Sequence, residues 1–398
     1  MNKLTIDDLS SSGLLKSKRV LVRVDFNVPM KDGVITDDKR ITESLPTIRK
    51  IISDGGKCIL MSHLGRPKGE KNLKYTLKPA AEHLAKLLNK NVIFADDCIG
   101  EQTASMINNM NDGEIMLLEN LRFYKQEESN DENFAKQLAS YGDVYVNDAF
   151  GSAHRAHAST EGVTHYIKSC ASGYLMQKEL EYLSKAVGNP EHPYVAILGG
   201  SKISGKIDVI NNLLGKADKI LVGGGMIFTF YKAMECNIGT SLLEEDKIEL
   251  AKELMQKAKG KIVLPVDIIV ADKFENDASF KTVYGNEMPD GMMGMDIGPE
   301  TIAKFREEIL KSKTIVWNGP MGVFEMSNFS KGTNEIAQAL VDATKKGAVT
   351  VIGGGDSASA IAQAGLEKEV SHVSTGGGAS LEFLEGKVLP GVAALTDI

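Results

Sequence analysis

The chain has 398 residues, 42% of them hydrophobic and 25% charged, an ordinary soluble composition with room for two or three domains at roughly 150 residues each. Its net charge of −7 gives no global basic field to hold nucleic acid, and no apolar run approaches the 18 or so residues of a membrane span. The N-terminal stretch carries Asp7 and Asp8 and no apolar core, so it does not read as a secretory signal, and the four scattered cysteines lack a C-x-x-C pair, which suits a reduced, cytoplasmic protein.

Short apolar, β-branched runs recur along the chain. VLVRVDF (20–26), KCILMSH (57–63), IMLLEN (115–120) and DVYVNDAF (143–150) come first. YVAILGG (194–200), KILVGGG (219–225), KIVLPVDIIVA (261–271), TIVWNGP (314–320) and AVTVIGGGD (348–356) follow. They are continuous rather than alternating, as parallel strands buried on both faces should be. Helical periodicity lies between them: Met176 to Val187 has apolar residues at 176, 180, 183 and 187, and Asn334 to Lys345 is a second such stretch. The alternation predicts an α/β protein with two doubly wound, parallel-sheet (Rossmann-like) domains. GNPEHP at 188–193 breaks the chain after the first of these helices, so a hinge helix with a short stiff connector is expected there.

Ligands of open α/β sheets bind beyond the carboxyl ends of the strands. In the second half four glycine clusters follow strands: Gly199-Gly200-Ser201-Lys202, Gly223-Gly224-Gly225, Gly353-Gly354-Gly355-Asp356 and Gly376-Gly377-Gly378. Turns without side chains let backbone N–H groups approach an anion, so the clusters point to nucleotide phosphates. GSKISGKI (200–207) has the G-x-x-x-x-G-K spacing of a P-loop, but Ile207 stands where a hydroxyl should meet magnesium. The metal is then expected on Asp356, although an Asp at that position also suits a plain helix cap.

Seven of the eight arginines lie in the first half. Arg23, Asp25 and Asn27 end the first strand, and Arg40, His63, Arg66, Arg122, His154, Arg155 and His157 sit in what read as loops and turns. Arginine's planar fork suits carboxylate and phosphate. Several such forks in a half of zero net charge predict one pocket for a small, multiply anionic ligand. A nucleotide-phosphate domain hinged to a small-anion domain is what a kinase needs. A two-domain solute-binding protein and a dehydrogenase are the competing readings. The first is usually exported, and the second needs a dinucleotide fingerprint absent after the first strand.

RVDFNVP, DDKRI, SHLGRPKG, LLENLRF, NDAFGSAHRAHAS, LGGSKISGKI, WNGPMGVFE, GGGDSA and STGGGASLEFLEG occur in that order. Together they closely resemble the phosphoglycerate kinase family, from about residue 4 to the C-terminus. The resemblance implies a glycolytic phosphotransferase that reversibly moves the acyl phosphate of 1,3-bisphosphoglycerate to Mg-ADP, giving 3-phosphoglycerate and ATP, in line and on hinge closure. It implies a 3-phosphoglycerate domain at 1–175 built on Asp25, Asn27, Arg40, His63, Arg66, Arg122 and Arg155. A hinge helix and linker at 176–193 follow, and residues 380–398 return to the first domain. The nucleotide domain at 194–379 has Lys206, Gly294, Asn318, Glu325, Gly354, Gly355, Asp356 and Ser357 as its site. Glu325 is similar to the family's ribose ligand and Asp356 to its Mg²⁺ ligand. Arg40, Lys202, Gly376 and Gly377, with Gly378, look like the groups around the transferring phosphoryl. A cytoplasmic monomer working on these small molecules, without nucleic acid or membrane, is the expectation.

Overall fold

The computed structural model describes residues 3–398, which form two compact units. The first takes in the chain up to Leu180 together with Val388–Ile398, and the second is Glu181–Lys387.

The first unit is built on a six-stranded parallel sheet. Its strands run in the order Val92–Ala95, Ile115–Leu118, Lys57–Met61, Arg19–Arg23, Val144–Asn147 and Cys170–Ser172. Successive residues of the central strand enter different cores. Val20 and Val22 pack with Ile41, Ile48 and Ile51 on one face, while Leu21 packs with Ile59, Met116 and Tyr145 on the other. Burial on both faces is why these runs are continuously apolar.

The second unit repeats the plan with Ile262–Val263, Lys219–Val222, Tyr194–Leu198, Thr314–Asn318, Val349–Gly353 and His372–Val373, all parallel. One part departs from the expected all-parallel plan. The run 261–271 is two strands in two sheets, interrupted around Pro265, which cannot donate to a ladder. Its second piece, Asp267–Ala271, pairs antiparallel with Phe280–Tyr284 and Met293–Ile297.

The chain passes from the first unit to the second inside the helix Tyr174–Val187, between Leu180 and Glu181, within the 176–193 stretch expected as hinge helix and linker. Val388–Ile398 belongs to the first unit, where the sequence had placed 380–398. The helix Gly378–Leu384 stays with the second unit, where Asn212 Nδ2 donates to Leu384 O at 2.6 Å. The last residues are tied down by backbone and side chain: Leu4 N donates to Thr396 O at 2.8 Å, and Asn147 Nδ2 to Gly391 O at 3.1 Å.

Candidate active site

In the first unit the candidate residues gather past the carboxyl end of Arg19–Arg23. Asp25 Oδ1 accepts the Asn27 amide at 3.1 Å, and Asn27 Oδ1 accepts the Gly65 amide at 2.8 Å. Ser62 Oγ accepts the Phe26 amide at 2.8 Å. The loops after two neighbouring strands are thereby stitched together. Arg40 Nη1 reaches them, 3.2 Å from both Asp25 oxygens and 3.0 Å from Asn27 O. Arg40 is not a loop residue as expected. It lies in the first turn of the helix Lys39–Ser53, which forms because Ile41, Ile48 and Ile51 are buried at helical spacing.

Arg122 sits in the 3₁₀ turn Leu121–Phe123, shaped by the buried Asn120. Asn120 Oδ1 accepts the amides of Arg122 at 3.0 Å and Leu64 at 3.2 Å, and its Nδ2 donates to Leu64 O and Tyr75 O at 2.8 and 2.9 Å. Arg122 Nη1 then donates to Gly65 O at 3.0 Å. Arg155 is half-buried, with Nε 3.1 Å from His154 Nε2, and Arg66 is exposed on the turn after Gly65.

His63 and His157 are buried and report how closely the arginines converge. Burial pushes the His63 imidazole well below its usual range, and Arg23, Arg122, Arg40 and His157 push it further. His157 is brought down to about 3 by burial, then by Arg23, Arg122, Arg155 and His154. Both rings are therefore neutral at physiological pH. Of the expected substrate residues, the structure brings Asp25, Asn27, Arg40, His63, Arg122 and Arg155 into one electrostatic neighbourhood.

Three residues of this neighbourhood escaped the sequence reading: Asn120, Glu127 and Ser159. Asn120 before a turn is a weak capping signal that was available. Glu127 lies in KQEES, which reads as solvated surface, yet it is fully buried.

In the second unit a cavity of about 400 Å³ opens where the glycine turns meet. Gly200, Lys202 and Lys206 line it from one turn, Asn318 and Gly319 from the next, Gly354 to Ser357 from a third, and Gly377 and Gly378 from the last. Gly354, at φ +89°, is the N-cap of the helix Gly355–Gln363 and leaves its first amides without a side-chain cap. Such a helix end attracts an anion. Ser357 Oγ accepts the Gly319 amide at 2.6 Å and so joins two of the turns. The Gly223–Gly225 cluster does not line the cavity but packs behind it, where a Cβ at Gly224 would lie 2.5 Å from Gly200 N.

Lys206 donates to Asn318 Oδ1. Burial lowers its pKa, with Asp356 and Glu385 opposing. Asn318 Nδ2 is buried with no hydrogen-bond partner among the described residues, a donor left for a ligand. Asp356 is exposed in the first turn of its helix and, among the described residues, is the one carboxylate lining the cavity. Among the described residues no group of three or more His, Cys, Asp or Glu side chains could hold a metal ion. A single carboxylate nevertheless suits Mg²⁺, which is held by one or two carboxylates plus phosphate and water.

Other expected residues lie outside this lining. Glu325 is exposed on the loop after Asn318, and Gly294 is in the antiparallel strand Met293–Ile297, its amide donating to Ser241 Oγ at 3.0 Å. Gly376 is buried, with its amide donating to Ser374 Oγ at 3.1 Å.

An arginine-rich neighbourhood in one α/β unit and a glycine-lined, lysine-bearing cavity in the other are the arrangement expected of a phosphotransferase with two α/β units. The family model for phosphoglycerate kinase matches residues 6–387. The phosphoglycerate kinases of Chloroherpeton thalassium and Chlorobium limicola are 62% and 58% identical to the chain over the full length of both partners. The solved phosphoglycerate kinase of Coxiella burnetii superposes with a TM-score of 0.90 at 42% identity, and that of Pyrococcus horikoshii with 0.82 at 33%, each over 98% of both chains. The chain belongs to the phosphoglycerate kinase family. Its activity is the glycolytic transfer of a phosphoryl group between 1,3-bisphosphoglycerate and ADP.

Proposed function

We propose that the arginine neighbourhood of the first unit binds the phosphoglycerate and that the glycine-lined cavity binds the nucleotide phosphates. The observation that best supports this division is geometric: Arg40 reaches the Asp25–Asn27 loop, Arg122 reaches Gly65 O and Arg23 reaches the buried His63, so three guanidinium groups converge past one strand end, as a multiply charged anion requires. Asp25 and Asn27 orient Arg40 and the Gly65 turn, Arg122 and Arg155 hold phosphate or carboxylate oxygens, and Arg66 joins them from the surface. Lys206, Asn318, Gly354, Gly355 and Ser357 hold nucleotide phosphates, with Glu325 at the ribose and Gly294 near the base. Asp356 would hold Mg²⁺, which neutralises charge on the phosphates when bound.

No nucleophilic side chain is needed, because carboxylate and phosphate oxygens react directly and the protein positions them and stabilises charge. Arg40 and Lys202, with the Gly376–Gly378 backbone, carry out that stabilisation. Each unit holds only one ligand's groups, so transfer requires hinge bending that both substrates promote. Small-angle scattering should show a smaller radius of gyration with both ligands than with either alone; an unchanged radius under full turnover would overturn closure. No helix among the described residues is long and apolar enough to cross a membrane, and the function is proposed for a cytoplasmic monomer that binds no nucleic acid. Calorimetry tests the division directly. Arg122→Ala should lose 3-phosphoglycerate binding and keep Mg-ADP binding, and Lys206→Ala the reverse; loss of both ligands in either variant would contradict it.

A further inference from the structure

Arg23 is the one arginine of the neighbourhood that cannot meet substrate, being 1% exposed. Its guanidinium is spent on the protein. Nε donates to Ser159 Oγ at 2.8 Å, Nη1 donates to Val24 O, and Nη2 lies 3.0 Å from His63 Nδ1. We propose that Arg23, held by Ser159 and Glu127, is a positioning residue that locks His63 in the neutral tautomer with its proton on Nε2.

The direction of every hydrogen bond in the chain follows from one fact. A guanidinium has five N–H donors and no acceptor. Nη2 must therefore donate to His63 Nδ1, which carries no proton. A neutral imidazole then has its proton on Nε2. At the other end Ser159 Oγ accepts from Arg23, so its own proton goes to Glu127 Oε1, 2.5 Å away, while Ser159 N donates to Glu127 Oε2 at 3.0 Å. Glu127 is fully buried, which raises its pKa, while Arg23 and the two hydrogen bonds from Ser159 oppose that rise; both oxygens accept, the pattern an ionised carboxylate makes. It supplies the negative charge that a buried guanidinium needs, one hydroxyl removed.

The other charged groups facing His63 reinforce the lock. Arg122 and Arg40 oppose a second proton on the ring, as do burial and His157. His63 thus offers a single directional N–H, while Arg40, Arg122 and Arg155 supply the charge. The inference rests on the proposed placement of His63 in the phosphoglycerate site.

Nitrogen-15 NMR of the wild-type ring tests the tautomer without any variant. Two-bond ¹H–¹⁵N correlations of His63 from pH 5.5 to 8 are expected to show the Nε2–H form throughout. An Nδ1–H form, a mixture or a protonated ring in that range overturns the proposal. Arg23→Lys keeps the charge, but a single ammonium cannot replace the fork that spans Ser159 and His63. It should give mixed tautomers and a roughly 10-fold higher KM for 3-phosphoglycerate, with KM for Mg-ATP unchanged. A wild-type tautomer and KM in this variant would mean that charge alone matters, and the lock would be rejected. Ser159→Ala, which removes one hydroxyl, should show the same split to a smaller degree and serves if the lysine variant does not fold. Failure of the site assignment shows separately, as His63 resonances unmoved by saturating 3-phosphoglycerate.

Discussion

Arg40 Nη1 lies 3.2 Å from each carboxylate oxygen of Asp25, so the arginine proposed to meet the phosphoryl group is held in place by an acid from the neighbouring loop. With a third of its side chain exposed and its stem on the first turn of a helix, Arg40 contributes little to the core. Arg40→Ala should therefore lower kcat by about 100-fold or more, as loss of one transition-state donor does. The melting temperature should stay near that of the wild type. Steady-state kinetics decide the point: a raised KM with kcat intact would make Arg40 a simple binding residue.

Among the described residues Asp356 supplies the one carboxylate lining the glycine-rich cavity proposed to hold the nucleotide. Asp356→Asn is expected to weaken Mg-ADP binding by at least 10-fold and to leave 3-phosphoglycerate binding unchanged. Calorimetric titration of each ligand into both proteins checks this, and equal Mg-ADP affinities would remove Asp356 from the metal.

Asn120 makes four hydrogen bonds from a fully buried side chain and sets the turns that carry Arg122 and Gly65. Asn120→Ala leaves those backbone groups without partners, at a cost of about 2–4 kcal/mol. Denaturant unfolding should show a lower midpoint, and the KM for 3-phosphoglycerate should rise while that for Mg-ATP holds.

Asp296 is buried beneath the loop that carries Glu325. Its oxygens accept the amides of Gly332 at 2.6 Å and Ile297 at 2.9 Å, and burial raises its pKa to about 7. A carboxyl raised above its unfolded value of 3.8 binds more protons when folded. Its contribution to stability is therefore fully present below pH 3.8 and is lost as pH rises through about 7. Asp296→Asn removes that dependence. The stability of the wild type relative to the variant should fall by roughly a few kcal/mol between pH 4 and 8. Denaturant midpoints measured in parallel at several pH values test it, and a constant difference would place the titration elsewhere.

Much of this protein was legible from local order. Residues buried on both faces of a sheet must be continuously apolar, so runs such as VLVRVDF and TIVWNGP announced the parallel strands directly. Glycines and arginines past the strand ends pointed to the two proposed sites, because the chemistry of anion binding restricts the residue types that can stand there. The ordered motifs then pointed to the family. Other features depend on which distant residues meet, and no period or spacing encodes that. The run 261–271 divides between two sheets because Asp267–Ala271 finds antiparallel partners near 282 and 295. Glu127 looks like surface until Ser159, 32 residues away, brings it under Arg23. The return of the chain at Val388 rests on contacts of the C-terminal residues with Leu4 and Asn147. Sequence alone carried the fold class and the family, since both follow from residue types in a fixed order. Only the tertiary structure decided which side chains are neutral, oriented or buried, because those properties belong to neighbours joined by long-range packing.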